Sequence, residues 1–212
     1  MAVTCKTRKY LSADKKSTVE TIIYTDESKD ALAVMQMSVC SDVPAGTLRE
    51  AAEFLATDGY IVCIPLIRAS DETVFVDDTH KLTNVIKNEF PDLPVFIFAY
   101  KNAVNAVKTY LKYFAADVKG AALVSAPAFT SVSSQGWAEN LPKETSILLA
   151  SGETDITDPA GIKISVCAQN LKVKGISTCC KVLVRTGRNV IGSGYAVQLY
   201  CLLSDWMFRE RV

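Results

Sequence analysis

Pro94-Val-Phe-Ile-Phe-Ala-Tyr100-Lys101-Asn102-Ala103-Val104 is the stretch whose reading decides the fold. Val95 to Ala99 is an unbroken apolar run of strand length, the pattern of a strand buried on both faces. The small residues Ala99 and Ala103 bracket the turn that follows. A helical stripe of Val104, Val107 and Leu111 begins at once. A buried strand that turns sharply into a helix is the geometry that holds a Ser or Cys nucleophile on a strained elbow. In this chain Lys101 stands at the elbow position, so the scaffold of a site is legible while its usual nucleophile is absent.

Outward from this segment, strands and helices alternate. Residues 4–11 and 18–25 read as a hairpin around the turn-rich Ser12-Ala-Asp-Lys-Lys-Ser17. Strands are predicted over 31–39, 60–66, 95–100, 120–125, 146–150 and 177–184. A helix is predicted over 47–57, with Thr47 and Glu50 as a capping box, Leu48, Ala51, Ala52 and Leu55 on one face, and Gly59 closing the end. Further helices are predicted over 76–90 (Leu82, Val85, Ile86 and Phe90 inward), from the elbow to about Phe114, after Asp158 with Pro159 in the first turn, and over 195–208 with Val197, Leu203 and Trp206 in the core. Continuous apolar strands alternating with helices imply an α/β fold. The expected form is doubly wound, a mostly parallel sheet of about eight strands with helices on both faces, in a single domain spanning 1–212. Ligands of such sheets bind at the C-terminal ends of the strands. Residues 127–142 carry no strong pattern.

Composition narrows the function classes. The 212 residues balance 23 Lys and Arg against 23 Asp and Glu, which argues against an electrostatic nucleic-acid binder. Lys6, Arg8, Lys9, Lys15 and Lys16 near the start are interrupted by Asp14, Glu20 and Asp26 and read as a solvated hairpin. No leader-like apolar run opens the chain, and the longest apolar stretches, such as 60–67, are too short to span a bilayer. Seven cysteines without a C-x-x-C pair read as reduced, mostly buried thiols of a cytoplasmic protein, with Cys179 and Cys180 on opposite faces of a strand. The one histidine, His80, excludes a multi-histidine metal site and is expected exposed in the polar first turn of its helix. Gly187-Arg-Asn-Val-Ile-Gly192-Ser193 has the glycine spacing of a phosphate loop but lacks its Lys. Gly192-Ser-Gly194 lacks the third glycine of a dinucleotide fingerprint. No cofactor or metal is expected.

Several segments, in order along nearly the whole chain, resemble the α/β-hydrolase fold, specifically its monoacylglycerol lipase and lysophospholipase-like branch. Leu11-Ser-Ala-Asp followed by Ile23-Tyr-Thr25 is similar to the opening hairpin. Glu53-Phe-Leu-Ala-Thr-Asp-Gly-Tyr60-Ile-Val-Cys63 is similar to the next helix and strand. Phe90-Pro-Asp-Leu-Pro-Val-Phe-Ile-Phe98 resembles the strand entering the elbow, and Ser151-Gly-Glu-Thr-Asp155-Ile-Thr-Asp-Pro-Ala-Gly161 the loop of the triad acid. The departures fall on the chemistry. Where the family has Gly-His-Ser-Met-Gly-Gly, this chain has Ala99-Tyr-Lys101-Asn-Ala103-Val104. Where the family places its histidine, Thr186-Gly-Arg-Asn189-Val190 puts an asparagine. The His-Gly of the oxyanion loop becomes Val39-Cys40. The resemblance therefore implies a vestigial triad at Lys101, Asp155 and Asn189. It implies backbone oxyanion donors at Asn102 and at Cys40 or Ser41, and no lid between Pro127 and Pro142.

Chemically, an asparagine amide does not titrate near neutrality and cannot replace a general base. Lys101 could attack only as a free amine, which requires strong desolvation. The expectation is a charged Lys101 paired with Asp155, directly or through Asn189. The reading that follows is a catalytically degenerate hydrolase-like protein with a binding, assembly or regulatory role, whose dent takes a small anionic or acyl ligand. Two alternatives stay open. One is a hydrolase or Schiff-base enzyme with a rearranged site using Lys101 or Cys40. The other is a different doubly wound fold such as a flavodoxin-like module. Loss of a lid would leave Phe129, Val132 and Trp137 near solvent as a surface for a second copy or a protein partner. The alternative is that Trp137 packs onto the sheet edge.

Overall fold

In the computed structural model, which describes residues 3–15, 17–39, 43, 45–67, 71–126, 136–158, 161–191 and 193–212, the apolar and alternating segments join into one eight-stranded sheet. Its strands are β1 (Val3–Leu11), β2 (Thr18–Asp26), β3 (Ala33–Val39), β4 (Tyr60–Pro65), β5 (Val95–Tyr100), β6 (Gly120–Val124), β7 (Ser146–Gly152) and β8 (Thr178–Leu183). They are ordered β1-β2-β4-β3-β5-β6-β7-β8. β1 and β2 form the antiparallel hairpin, in register from Val3↔Asp26 to Leu11↔Thr18, and β2 runs antiparallel to β4. Every later pairing, from β3–β4 to β7–β8, is parallel. This is the α/β class read from the sequence.

Among the described residues five α-helices cover the sheet: α1 (Ala45–Thr57), α2 (Glu72–Glu89), α3 (Ala103–Phe114), α4 (Ile162–Val173) and α5 (Val197–Glu210). Side-chain alternation in the strands sorts the core into two layers. Val95, Ile97 and Ala99 of β5 pack with Phe75, Leu82, Val107, Leu111, Ile164 and Leu171 of α2, α3 and α4. Phe96, Phe98 and Tyr100 pack with Leu48, Leu55, Leu199, Leu203 and Trp206 of α1 and α5. Gly120 has no side chain because a Cβ there would lie 2.6 Å from the Ser146 carbonyl oxygen and 2.9 Å from the Trp206 ring. Trp206 uses that space, stacks edge-on to Phe96 at 5.1 Å and donates Nε1–H to Ser146 Oγ at 2.9 Å.

Several local expectations are corrected. α1 starts at Ala45, so Thr47 lies inside the first turn and cannot cap it. α2 starts at Glu72 because Asp71 takes the cap, its side chain accepting from Thr73 N at 2.7 Å. His80 therefore sits in mid-helix, half-buried. Its ring stacks on Phe114 at 3.9 Å, and Nδ1 lies 3.4 Å from Asp117 Oδ2. Asp158 does cap α4, but across a turn: its carboxylate accepts from Lys163 N and Ile164 N, while Gly161, at φ 67, is the residue that opens the helix. Pro159 lies outside the described residues.

Trp137 is 2% exposed and belongs to the layer containing α3 and α4. It is core and not part of an open patch, because Ala138, Leu141, Cys167 and Ala168 join the same layer. Phe129 and Val132 lie outside the described residues. Among the described cysteines only Cys63 and Cys167 are buried; Cys5 and Cys201 are exposed and Cys179 and Cys180 half-buried, so the thiols are not mostly buried. Cys179 and Cys180 do pack against opposite layers. No helix of the described residues is long and apolar enough to cross a membrane.

Candidate functional site

The C-terminal ends of β5, β6, β7 and β8 form one rim. Lys101 follows β5 with φ 54, the left-handed backbone that a side-chain-bearing residue adopts only under constraint. The constraint is visible: Lys101 N–H donates to Val124 O on β6 at 3.0 Å, and Lys101 O accepts from Val104 N at 3.1 Å in the first turn of α3. Ala99 and Ala103 on either side are fully buried, which explains why the turn needs small residues there. Ser125 after β6 has φ 50 and donates its N–H to Ala150 O on β7 at 2.9 Å. Arg185 after β8 has φ 57 and donates its N–H to Glu153 Oε2 at 3.0 Å. Three of the four positive-φ residues other than glycine among those described thus sit at strand ends on one rim. Such backbone outliers, at about 1–3 kcal/mol each, concentrate where a site is built.

Tyr100, the residue before the elbow, organises the interior of this rim. It is 1% exposed, and its hydroxyl donates to Arg188 O at 3.0 Å, fastening the segment after β8 to the end of β5. Burial pushes the hydroxyl up to about 12, and the Asp155 carboxylate adds to the rise. The backbone at Ile191 and Val190 and the Arg188 cation pull the other way. Tyr100 is therefore neutral at physiological pH, with Asp155 and Arg188 as its charged neighbours. Asp155 is itself 1% exposed. Its Oδ1 accepts from Thr157 N at 2.9 Å and Thr157 Oγ at 2.7 Å, whereas Oδ2 is buried without a donor. Arg188 Nε and Ser125 Oγ are likewise buried without partners.

The elbow, Asp155 and the 188–191 segment therefore meet around Tyr100. The expected ion pair between Lys101 and Asp155 is not formed among the described residues. Lys101 is half-buried with Nζ 5.1 Å from the centroid of the Tyr100 ring, and the Asp155 carboxylate is engaged by Thr157. Asn189 is exposed, and the contact its segment makes to the elbow runs through the carbonyl of Arg188. Asn102 is exposed and precedes α3 in helical backbone. Cys40 and Ser41 lie outside the described residues. The chain's one histidine is on α2 against Phe114, away from these strand ends. Cys63 within β4 is driven up to about 12 by burial, so it offers no thiolate. Among the described residues no group of three or more metal-ligating side chains comes together.

Sequence reasoning missed Tyr100, Ser125 and Arg188. The signal for Tyr100 was present: a polar-tipped aromatic closing an otherwise apolar strand needs a partner for its hydroxyl when buried. Arg188 and Ser125 carried no such signal.

No family model matches the chain, and no curated protein matches it. Among solved structures the chain is similar to a highly thermostable carboxyl esterase from Bacillus coagulans, with TM-score 0.85 and 12% identity over 98% of this chain and 99% of that one. It is similar to the esterase domain of a Rhodothermus marinus protein (TM-score 0.73, 14% identity, 97% and 98% covered). A dienelactone hydrolase from Anabaena variabilis is a further likeness (TM-score 0.69, 14% identity, 96% and 98% covered). At these identities the likeness establishes the α/β-hydrolase fold and nothing finer.

Proposed function

We propose that this α/β-hydrolase-fold chain does not hydrolyse esters through a Ser-His-acid triad, and that its rim binds a small carboxylate or acyl anion in a binding or regulatory role. One observation carries the first half. The Tyr100 hydroxyl donates to the Arg188 carbonyl, so the segment where the resembled branch places its base is tied down by a neutral phenol. Lys101 occupies the elbow, Asn189 the base position, and the single histidine is committed elsewhere. Attack on an acyl carbon needs a nucleophile and a group to move its proton, and these residues supply neither.

The second half rests on what the rim offers. Lys101 presents an ammonium 5.1 Å from the centroid of the Tyr100 ring, and Arg188 Nε is a buried donor without an acceptor. An anion at the start of α3 lies beside Lys101 and gains from the positive end of the helix. Acetate, butyrate and octanoate titrations followed by amide shifts should move Lys101, Asn102 and residues 188–191, and Lys101→Met should weaken the effect at least threefold. A fluorophosphonate probe and an ester panel should give no label and no turnover. Covalent labelling by the probe at any rim residue refutes the first half. A borohydride-trapped adduct of a small aldehyde or keto acid at Lys101 would instead assign the site to Schiff-base chemistry.

A further inference from the structure

The rim holds charges of both signs, and a lone carboxylate ligand would answer only one of them. Lys101 Nζ lies over the face of the Tyr100 ring, while Asp155 and Arg188 act on the hydroxyl end of the same ring. Asp155 Oδ2 is a carboxylate oxygen in a residue 99% removed from solvent, with its twin oxygen fully engaged by Thr157 and no donor of its own. An acceptor of this kind, buried without a donor, is costly, and native proteins supply it with a partner. Arg188 Nε, a buried donor on the residue whose carbonyl accepts from Tyr100, lacks an acceptor. The two orphans do not form an ion pair with each other: no Asp155–Arg188 contact falls among the ion pairs of the described residues.

From these orphans we infer that the ligand is a short zwitterion, an amino carboxylate whose ammonium donates to Asp155 Oδ2 and whose carboxylate accepts from Arg188 Nε and faces Lys101. This rests on the proposed carboxylate-binding reading and adds the second recognition element. Tyr100 itself holds the frame: neutral and donating to the Arg188 carbonyl, it fixes the backbone of the residue that takes the carboxylate without competing for the ligand's charge. Lys101 lies to one side of the ring as a cation that no acidic side chain quenches among the described residues, so it remains available to the anionic end.

The test is a ligand series on the unmodified full chain at constant ionic strength: propionate, propylamine, β-alanine and 4-aminobutanoate, followed by calorimetry and amide shifts. At least one of the two zwitterions should bind tenfold or more tighter than both propionate and propylamine, with shifts at 155–157 as well as at 101–102 and 188–191. Asp155→Asn should remove that advantage, so that the zwitterions bind the variant no tighter than propionate binds it. The series on the unmodified chain decides the matter even where that variant unfolds. Zwitterions no tighter than propionate overturn this inference, with a water the only occupant of Asp155 Oδ2, and leave the carboxylate reading standing. Propylamine as tight as the zwitterions overturns the role of Lys101 and Arg188. Silence from all four ligands overturns both readings.

Discussion

Replacing Gly152 by alanine should unseat the segment that carries Arg188 and Asn189. Gly152 closes β7, and a Cβ built on it would lie 2.3 Å from Gly187 O and 2.5 Å from Thr186 O, both backbone atoms. Contact distances between such atoms are roughly 3.5 Å, so the strand end and the segment must separate by about 1 Å. That movement falls on Thr186 O, which accepts from Thr154 N at 2.9 Å and from Thr154 Oγ at 3.0 Å. Two hydrogen bonds at about 1 kcal/mol each, plus about 1–3 kcal/mol for the overpacked contact, give a loss of about 3–5 kcal/mol. For a chain of this size that is a fall in Tm of about 6–20 °C. Urea denaturation should show the midpoint drop with an unchanged slope. Gly187→Ala is the internal control, since its Cβ would meet Thr154 Oγ at 3.4 Å, an ordinary contact, and should cost under about 1 kcal/mol. A Gly152→Ala chain within 1 kcal/mol of wild type, or no less stable than Gly187→Ala, would refute the close-approach argument.

Three further outcomes are expected. Lys101→Met should change stability by no more than about 0.5 kcal/mol, since no buried ion pair is broken, whereas Lys101→Gly should gain about 1 kcal/mol by relieving the positive φ, reduced by the extra freedom of the unfolded chain; a urea-melt loss above 2 kcal/mol for Lys101→Met would restore the pair with Asp155. The folded chain holds the Tyr100 proton up to about 12, above the usual value near 10. This contribution is therefore intact below pH 10 and is lost as the pH rises towards 12, because the unfolded chain releases the proton first. Tyr100→Phe should flatten that decline, and identical slopes for both chains would contradict the burial of the hydroxyl. Iodoacetamide on the native chain should label Cys5 and Cys201 quickly, while Cys63 and Cys167, held up to about 12 and about 11 by burial, react only on unfolding; peptide mapping that finds Cys63 labelled in the native state would contradict its packing.

The fold was legible because its strands are written as uninterrupted apolar runs, and such runs survive any error of a residue or two at their ends. β5 was read from 95 to 100 and is Val95–Tyr100. Helix starts were less legible, because several residues compete for one cap. Thr47 with Glu50 satisfies the capping-box pattern, yet the chain turns helical earlier, at Ala45. Asp71 outcompetes the later acids for α2. The polar interior was hardest to see. Gln36, fully buried on β3, donates to Thr79 O at 3.3 Å and accepts from Thr83 Oγ at 3.0 Å, a link between sheet and α2 that no periodicity announces. The candidate site divides along the same line. The strand-to-helix turn at Lys101 and the loop after β7 are local patterns and were visible. The bond from Tyr100 to Arg188 joins residues 88 apart in sequence and depends on tertiary structure alone.

This distribution bears on which parts of the rim depend on their side chains and which on the backbone. The elbow geometry at Lys101 is set by backbone hydrogen bonds to Val124 and Val104 and by the small residues Ala99 and Ala103. None of these depends on the side chain at position 101, so that position tolerates substitution without loss of the turn. The loop after β7 is similarly self-sufficient, since Thr157 and Gly152 hold Asp155 through its own Oδ1 and backbone N–H. The segment after β8 is different. Asn189 is exposed, and the bracing runs from the Tyr100 hydroxyl to the carbonyl of Arg188. A phenol neutral up to about 12 serves that purpose well: it donates one hydrogen bond and adds no charge beside Asp155. Tyr100, and not Lys101, is therefore the residue around which this rim is built. Lys101 is the cation it displays.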